Sequence, residues 1–178
     1  GLFGDIAIFS FYASKMISTG QGGMVFSKNK GLADKARDYI DFDLGKNKRD
    51  YYPRFNFEIT DLQSALGISQ LKKLGTFLSK REKIALFYEQ VCAEKGWDFQ
   101  KPKHKDCIKN NYRFVVKTDY ALRLKVHLEK KGIKTIMPIE NWELLHNFLK
   151  LEKQGFPNAE KISKSALSLP ISGFFHSS

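Results

Sequence analysis

Apolar positions recur along this chain in two rhythms, and the switches between them lay out its elements. Residues 6–11 form an apolar run rich in β-formers, broken only by Ser10 and set off by Gly4-Asp5 and by small polar residues, and predict a buried strand. A second apolar run at 24–26, reached through Ser18-Thr19-Gly20 and a glycine pair, predicts another. Asn29-Lys30-Gly31 then makes a turn, and Leu32, Ala33, Ala36, Tyr39 and Ile40 return at helical spacing to an end near Asp41. The polar, charged stretch 43–53 predicts an exposed, mobile loop, and 54–58 a short extended piece. Thr60 or Asp61 offers a helix N-cap, after which Leu62, Ala65, Leu66, Ile68, Leu71, Leu74 and Leu78 trace one apolar face. Ile84, Phe87, Tyr88 and Val91 carry the pattern on to Gly96, so one long, bent helical connection is expected.

Residues 97–106, with Pro102 and several lysines, have the composition of a linker, and a domain change is placed there. Beyond it, 112–117 reads as a strand. Asp119 offers a cap for a helix through Leu122, Val126 and Leu128 to Gly132, and 133–137 is again strand-like. A short helix is expected around Trp142, Leu144, Leu145 and Phe148. Asn158 offers a cap for another through Ile162 and Leu167, and 169–171 is a last extended piece. The compositional change divides the chain into residues 1–100 and 101–178.

Composition narrows the picture in three ways. At 178 residues and 42% hydrophobic, the chain is a folded one, with enough length for one core or parts of two. The net charge of +11 would attract polyanions, yet the lysines are scattered in small groups and not gathered into an aromatic-studded stripe. That spread reads as solvated surface and argues against nucleic acid as the partner. Cys92 and Cys107 form no disulfide framework, and His104 before Cys107 has no second pair to complete a metal site, so no metal and a reducing cytoplasm are expected. No apolar run approaches the roughly 20 residues that span a bilayer, and no charged-then-apolar leader opens the chain; no membrane association is expected.

The residue with chemical promise is Lys15, at the end of the first strand and before a glycine-permissive turn. A lysine amine, with an ordinary pKa of about 10.4, becomes a nucleophile when desolvation or nearby cations lower that value. On spacing alone, a solvated loop lysine is the commoner reading, just as Ser10 alone reads as a strand-end serine.

The wider pattern decides between them. Gly4-Asp5, Phe9-Ser10-Phe11, Lys15 and Thr19-Gly20-Gln21-Gly22-Gly23-Met24-Val25 resemble the cofactor-lysine segment of the DegT/StrS family of sugar aminotransferases. Asn56-Phe57, Ile59-Thr60-Asp61-Leu62-Gln63-Ser64-Ala65-Leu66-Gly67 and Gln70-Leu71 resemble the same family downstream. A looser likeness continues through Gly132-Ile133-Lys134-Thr135, Trp142, His146, Phe156-Pro157-Asn158-Ala159-Glu160 and Leu167-Ser168-Leu169-Pro170.

The resemblance implies a fold-type-I enzyme that uses pyridoxal 5'-phosphate. The chain, of α/β class, would be the later part of its large cofactor-binding domain with long connecting helices (1–100) plus most of a truncated small α+β domain (101–178), entered just before the cofactor lysine. Lys15 would bond to the cofactor aldehyde and shuttle protons, and Ser10 would bind the cofactor phosphate. Asn56 would reach the cofactor of the neighbouring subunit in a homodimer with shared sites. Trp142 and His146 would lie on a substrate-facing loop. The acidic partner of the pyridine nitrogen, the stacking aromatic and the first phosphate loop would all precede Lys15. The implied reaction transfers an amino group to a keto sugar, nucleotide-linked, with a donor such as glutamate, in polysaccharide biosynthesis. Lysine at position 15 argues against the related dehydratases, which carry histidine there. Glu58, where a basic residue is usual, and Tyr12, where histidine or asparagine is frequent, depart from the pattern. Two alternatives stand beside this reading: a basic, nucleic-acid-binding or regulatory module that keeps the fold without the chemistry, and an aminotransferase for a cyclitol or other small ketone.

Overall fold

The computed structural model describes residues 3–42, 53–102, 104 and 106–171; the loop expected at 43–53 lies, but for its last residue, outside them. The described chain forms two compact units, Gly1–Gly75 and Thr76–Ser178.

In the first unit, β1 (Ala7–Ser10) pairs antiparallel with β2 (Gly23–Phe26), with Ala7 opposite Phe26 and Ser10 opposite Gly23. Position 23 must be glycine for this register, because a Cβ there would stand 2.9 Å from the Phe9 carbonyl oxygen. Helix α1 (Lys30–Ile40) starts where the Asn29 side chain accepts the Gly31 and Leu32 amides at 2.9 and 3.3 Å. Helix α2 (Asp61–Lys72) starts in a capping box of Thr60 and Gln63, so Thr60 is the cap.

Both expected strands form, but neither is buried. Ile8 is 80% exposed, and Phe9, Met24, Val25 and Phe26 are exposed as well. Helix α1 and Phe57 lie beside the ribbon, but they leave its apolar side chains exposed, so the apolar pattern predicts a face that the described residues do not cover.

Helix α3 (Leu74–Lys95) follows α2 after a break at Lys73, whose amide closes back on the Gln70 carbonyl at 3.0 Å. In the second unit, β3 (Asp98–Phe99), β4 (Phe114–Lys117) and β5 (Ala166–Leu169) form an antiparallel sheet in the order β3-β4-β5. Phe99, Phe114, Val116 and Leu167 from this sheet meet Ala85 and Cys92 of α3 and Ala121 of α4 (Ala121–Lys130) in the core. Burial of side chains of this size is worth about 1.5–3 kcal/mol each. Tyr88 packs its ring 5.1 Å from that of Phe114 and donates its hydroxyl to the Pro170 carbonyl at 2.8 Å. Since α3 supplies core residues here, compactness counts it with the second unit, whereas the compositional boundary lay at 100–101.

Several local expectations give way to neighbours. The stretch expected as a linker contains β3, fixed by buried Phe99 and by Lys117 bonding to Asp98 at 3.0 Å. Asp119 does not cap α4: Tyr120 holds the cap position, and the Thr118 hydroxyl accepts its amide at 3.3 Å. Inward from α4 point Ala121, Leu124 and Leu128, while Leu122 and Val126 face outward. Residues 133–137 make a single bridge, Ile136 to Ser168, in place of a strand. A 3-10 turn (Asn141–Glu143) and α5 (Leu145–Phe148) stand where one short helix was expected. Helix α6 (Pro157–Ser165) begins with Pro157 in its first turn, so Asn158 is inside it, and Leu167 belongs to β5. Among the described residues no helix is long and apolar enough to cross a membrane.

Candidate active site

Lys15 closes a β-turn at the end of the β1 ribbon, its amide donating to the Tyr12 carbonyl at 2.9 Å. The ribbon continues past Ser10: the Phe11 amide donates to Gly22 and the Thr19 amide to Phe11, both at 2.9 Å, and Tyr12 bridges to Gly20. Residues 12–19 are therefore a loop pinched at its base, with exposed Lys15 held on it and Ser10 at the strand end beneath it.

One side chain anchors the base. Thr19 is 4% exposed, and its hydroxyl donates to the Gln21 carbonyl. From α2, Gln63 Nε2 donates to the same carbonyl at 3.3 Å. Gly67 allows α2 to sit against Thr19, since a Cβ at 67 would lie 3.1 Å from Thr19 Cγ2. The lysine loop is thereby braced by a helix that begins more than 40 residues later. Sequence reasoning gave Thr19, Gln63 and Gly67 no part in this. The available signal was a glycine in a helix interior, which costs about 1 kcal/mol relative to alanine and calls for a close approach to explain it.

The hydroxyl of Ser10 accepts the Tyr12 amide at 3.3 Å. A serine oxygen that accepts in this way still has its own proton to donate. Asn56 lies in the same unit, on a segment tied to the end of α1 by the Phe55 amide to Tyr39 (2.8 Å) and the Phe57 amide to Ile40 (3.1 Å). Arg54 fixes that segment with a two-pronged bond to Asp38 at 3.1 and 3.2 Å. Phe55 and Phe57 stack at 4.8 Å on one side, so Asn56, between them in the sequence, is turned to the other. All three are exposed.

Trp142 and His146 belong to the second unit. Trp142 is 73% exposed on the 3-10 turn, and His146 is 4% exposed. The His146 ring stacks on Phe156 at 4.6 Å, and its Nε2 lies 2.9 Å from Glu160 Oε1. The His146 hydrogen bond, helped by Lys164 and Lys153 against some desolvation, holds the Glu160 carboxyl at about 2. An ionised carboxylate only accepts, so Nε2 carries the proton. His146 was expected to face substrate. Its ring is instead spent on Phe156 and Glu160, which leaves Trp142 as the exposed member of the pair.

The sequence profile of the DegT/DnrJ/EryC1/StrS aminotransferase family matches residues 1–176. The chain belongs to that family. Aminotransferases of the DegT family depend on pyridoxal phosphate. This DegT-family chain is 38% identical over 104 residues to the GDP-perosamine synthase of Caulobacter vibrioides, an alignment covering 57% of the chain and 28% of that protein. It is 38% identical over 115 residues to UDP-4-amino-4,6-dideoxy-N-acetyl-beta-L-altrosamine transaminase of Campylobacter jejuni, covering 62% and 30%. The crystal structure of DesV from S. venezuelae superposes with a TM-score of 0.83 at 25% identity, over 98% of this chain and 48% of that one. The fold is thus that of the later half of a fold-type-I sugar aminotransferase, and the chain spans about half the length of such a structure.

Proposed function

We propose that this chain carries the lysine-bearing part of a pyridoxal-phosphate-dependent aminotransferase, active at full length on a nucleotide-linked keto sugar with glutamate as amino donor, in the cytoplasm. The observation that carries the reading is Lys15, held at the tip of a braced strand-end loop in a chain of this family. The named products of two relatives, both nucleotide-linked amino sugars, support the substrate class.

The donor set fits two ends of the cofactor. The amine of Lys15 suits its aldehyde, and the Ser10 proton, left over after the oxygen accepts Tyr12, suits an anionic phosphate. Bound pyridoxal phosphate supplies the electron sink for moving an amino group. Lys15 would hold the cofactor through its amine, and its Nζ would hold and deliver the proton that moves during transfer. Asn56, turned away from the Phe55–Phe57 stack, offers its amide to the phosphate in a neighbouring subunit, and the stack is the apolar contact beside it.

In the full-length protein, Lys15→Ala should lose the yellow cofactor colour and all turnover while its circular dichroism stays unchanged. A variant that keeps the colour puts the cofactor lysine elsewhere. A colourless wild type with salt-sensitive affinity for unrelated DNA would favour the basic, non-catalytic module. Sharing of sites is tested by mixing Lys15→Ala and Asn56→Ala subunits. A mixed dimer with shared sites has one doubly impaired and one intact site, so activity returns; if Asn56 serves its own subunit, none does.

A further inference from the structure

Resting on that reading, we infer that Gln63 and Thr19 are positioning residues for Lys15, tying the foot of the lysine loop to the first turn of α2 through one shared carbonyl oxygen. That oxygen belongs to Gln21. The Thr19 hydroxyl donates to it, and so does Gln63 Nε2, at 3.3 Å. A carbonyl oxygen has two lone pairs, and each takes one of these donors. At its other end the same Gln63 amide closes the cap of its own helix, Oε1 accepting the Thr60 amide at 3.2 Å and the Thr60 hydroxyl at 3.0 Å. A single side chain thus joins the start of α2 to a turn 42 residues earlier.

The surfaces around this contact are shaped to it. Ile59, Gln63 and Gly67 recur at every fourth position, the spacing of one helical face, and all three meet the turn. A Cβ at Gly22 would stand 2.9 Å from Thr19 Oγ1 and 3.2 Å from Ile59 Cδ1, and one at Gly67 would stand 3.1 Å from Thr19 Cγ2. Thr19 is therefore enclosed on two sides, and it is the single buried residue among those described in the first unit. The lysine loop leaves from this fixed point. The Thr19 amide closes its base on the Phe11 carbonyl at 2.9 Å, and Lys15 stands exposed on the loop above. Where Nζ stands when an aldehyde arrives depends on how firmly that base is held. Reacting atoms must come within about 3–3.5 Å, and a misplacement of about 1 Å costs on the order of a hundredfold in rate. Gln63 and Thr19 touch no reacting atom; they set the rate at which the Lys15 amine captures the cofactor.

The test uses the full-length protein stripped of cofactor, as wild type, Gln63→Glu, Thr19→Val and Thr19→Ser. Glutamate closes the same capping box as glutamine, but it sets an acceptor against the Gln21 carbonyl oxygen where the donor stood. Valine keeps the shape of threonine without the hydroxyl, and serine keeps the hydroxyl as the conservative rescue. Before cofactor is added, amide exchange over 12–19 should quicken about tenfold in Gln63→Glu and Thr19→Val, stay within about twofold of wild type in Thr19→Ser, and not change over 64–72. When pyridoxal phosphate is then supplied, the yellow colour should appear about tenfold more slowly in the first two variants and at close to the wild-type rate in the third. Should α2 loosen along with the loop in Gln63→Glu, Thr19→Val, which leaves the cap intact, decides by the same two readings. Loop exchange at the wild-type rate, colour that appears as fast from a loosened loop, or no rescue by serine overturns the inference while the function stands. A wild type that takes up no colour overturns the function itself, and the exchange pattern still tells whether the brace holds.

Discussion

The two units handle their apolar residues in opposite ways. In the second, the sheet, α3 and α4 bury Phe99, Phe114, Val116, Ala121 and Leu167 against one another, and Leu167 is completely enclosed. In the first, Thr19 is the single buried residue among those described, while Ile8, Phe9, Met24 and Phe57 lie open. Yet the first unit carries Lys15, Ser10 and Asn56. The better-packed unit holds the fold together, and the one with the chemistry leaves its apolar faces for something else to cover. An exposed patch of this kind is a contact surface more often than an ornament of a monomer.

Three measurements would break or sharpen this contrast. Leu167→Ala should lower the unfolding free energy by about 3 kcal/mol in denaturant titration, as cavities in closed cores do. Ile8→Ala in the same chain should change it by no more than about 0.5 kcal/mol, as for other exposed positions. Equal losses at the two sites would mean that the ribbon is buried after all. Next in size is Gly23→Ala, whose new methyl meets the Phe9 carbonyl oxygen. It should weaken the β1–β2 pairing by about 1–3 kcal/mol, read as faster exchange of the ribbon amides with β4 unaffected.

The smallest effect is one of pH. The Glu160 carboxyl is held at about 2, below its ordinary 4.5, so the folded form favours the ionised group. Its contribution is whole above about 4.5 and drains away as pH falls through about 2. The thermal midpoint of the second unit should therefore drop across that window, and Glu160→Gln should flatten the decline. An identical profile in the variant would assign the acid sensitivity to other carboxylates.

What could be read in advance followed the range of the forces involved. The cap at Thr60, made by a side chain three residues from its target, was visible in the sequence, as were the helix stops at Gly96 and Gly132, whereas Asn29, expected only in a turn, caps α1. Asp119 and Asn158 misled because each helix starts from another residue: Tyr120 holds the cap of α4, and Phe156 that of α6, with Pro157 in its first turn. The two-residue β3 has too few positions to show an alternation, and its partner strand is what makes it one. For the candidate site, a family pattern pointed to Lys15, Ser10 and Asn56. The braces at Thr19 and Glu160 depend on contacts across loops, which no local pattern records. Burial of β1 failed for a related reason: an apolar run tells that a surface wants cover, and the covering surface is not written in that run.

The placing of β4 at the centre of its sheet bears on how the second unit assembles. Its pairing with β3 joins Asp98 to Lys117, 19 residues apart, and follows directly from the end of α3. Pairing with β5 joins the same Lys117 to Ala166 across a stretch more than twice as long, with α4, α5 and α6 in between. Each doubling of a closed loop costs about 0.6 kcal/mol more in chain entropy. The β3–β4 hairpin with α3 is thus expected to form before β5 docks, so that the Glu160 helix settles beside the Trp142 turn last; amides of β4 that gain protection no earlier than those of β5 in a pulse-labelled refolding experiment would reverse that order.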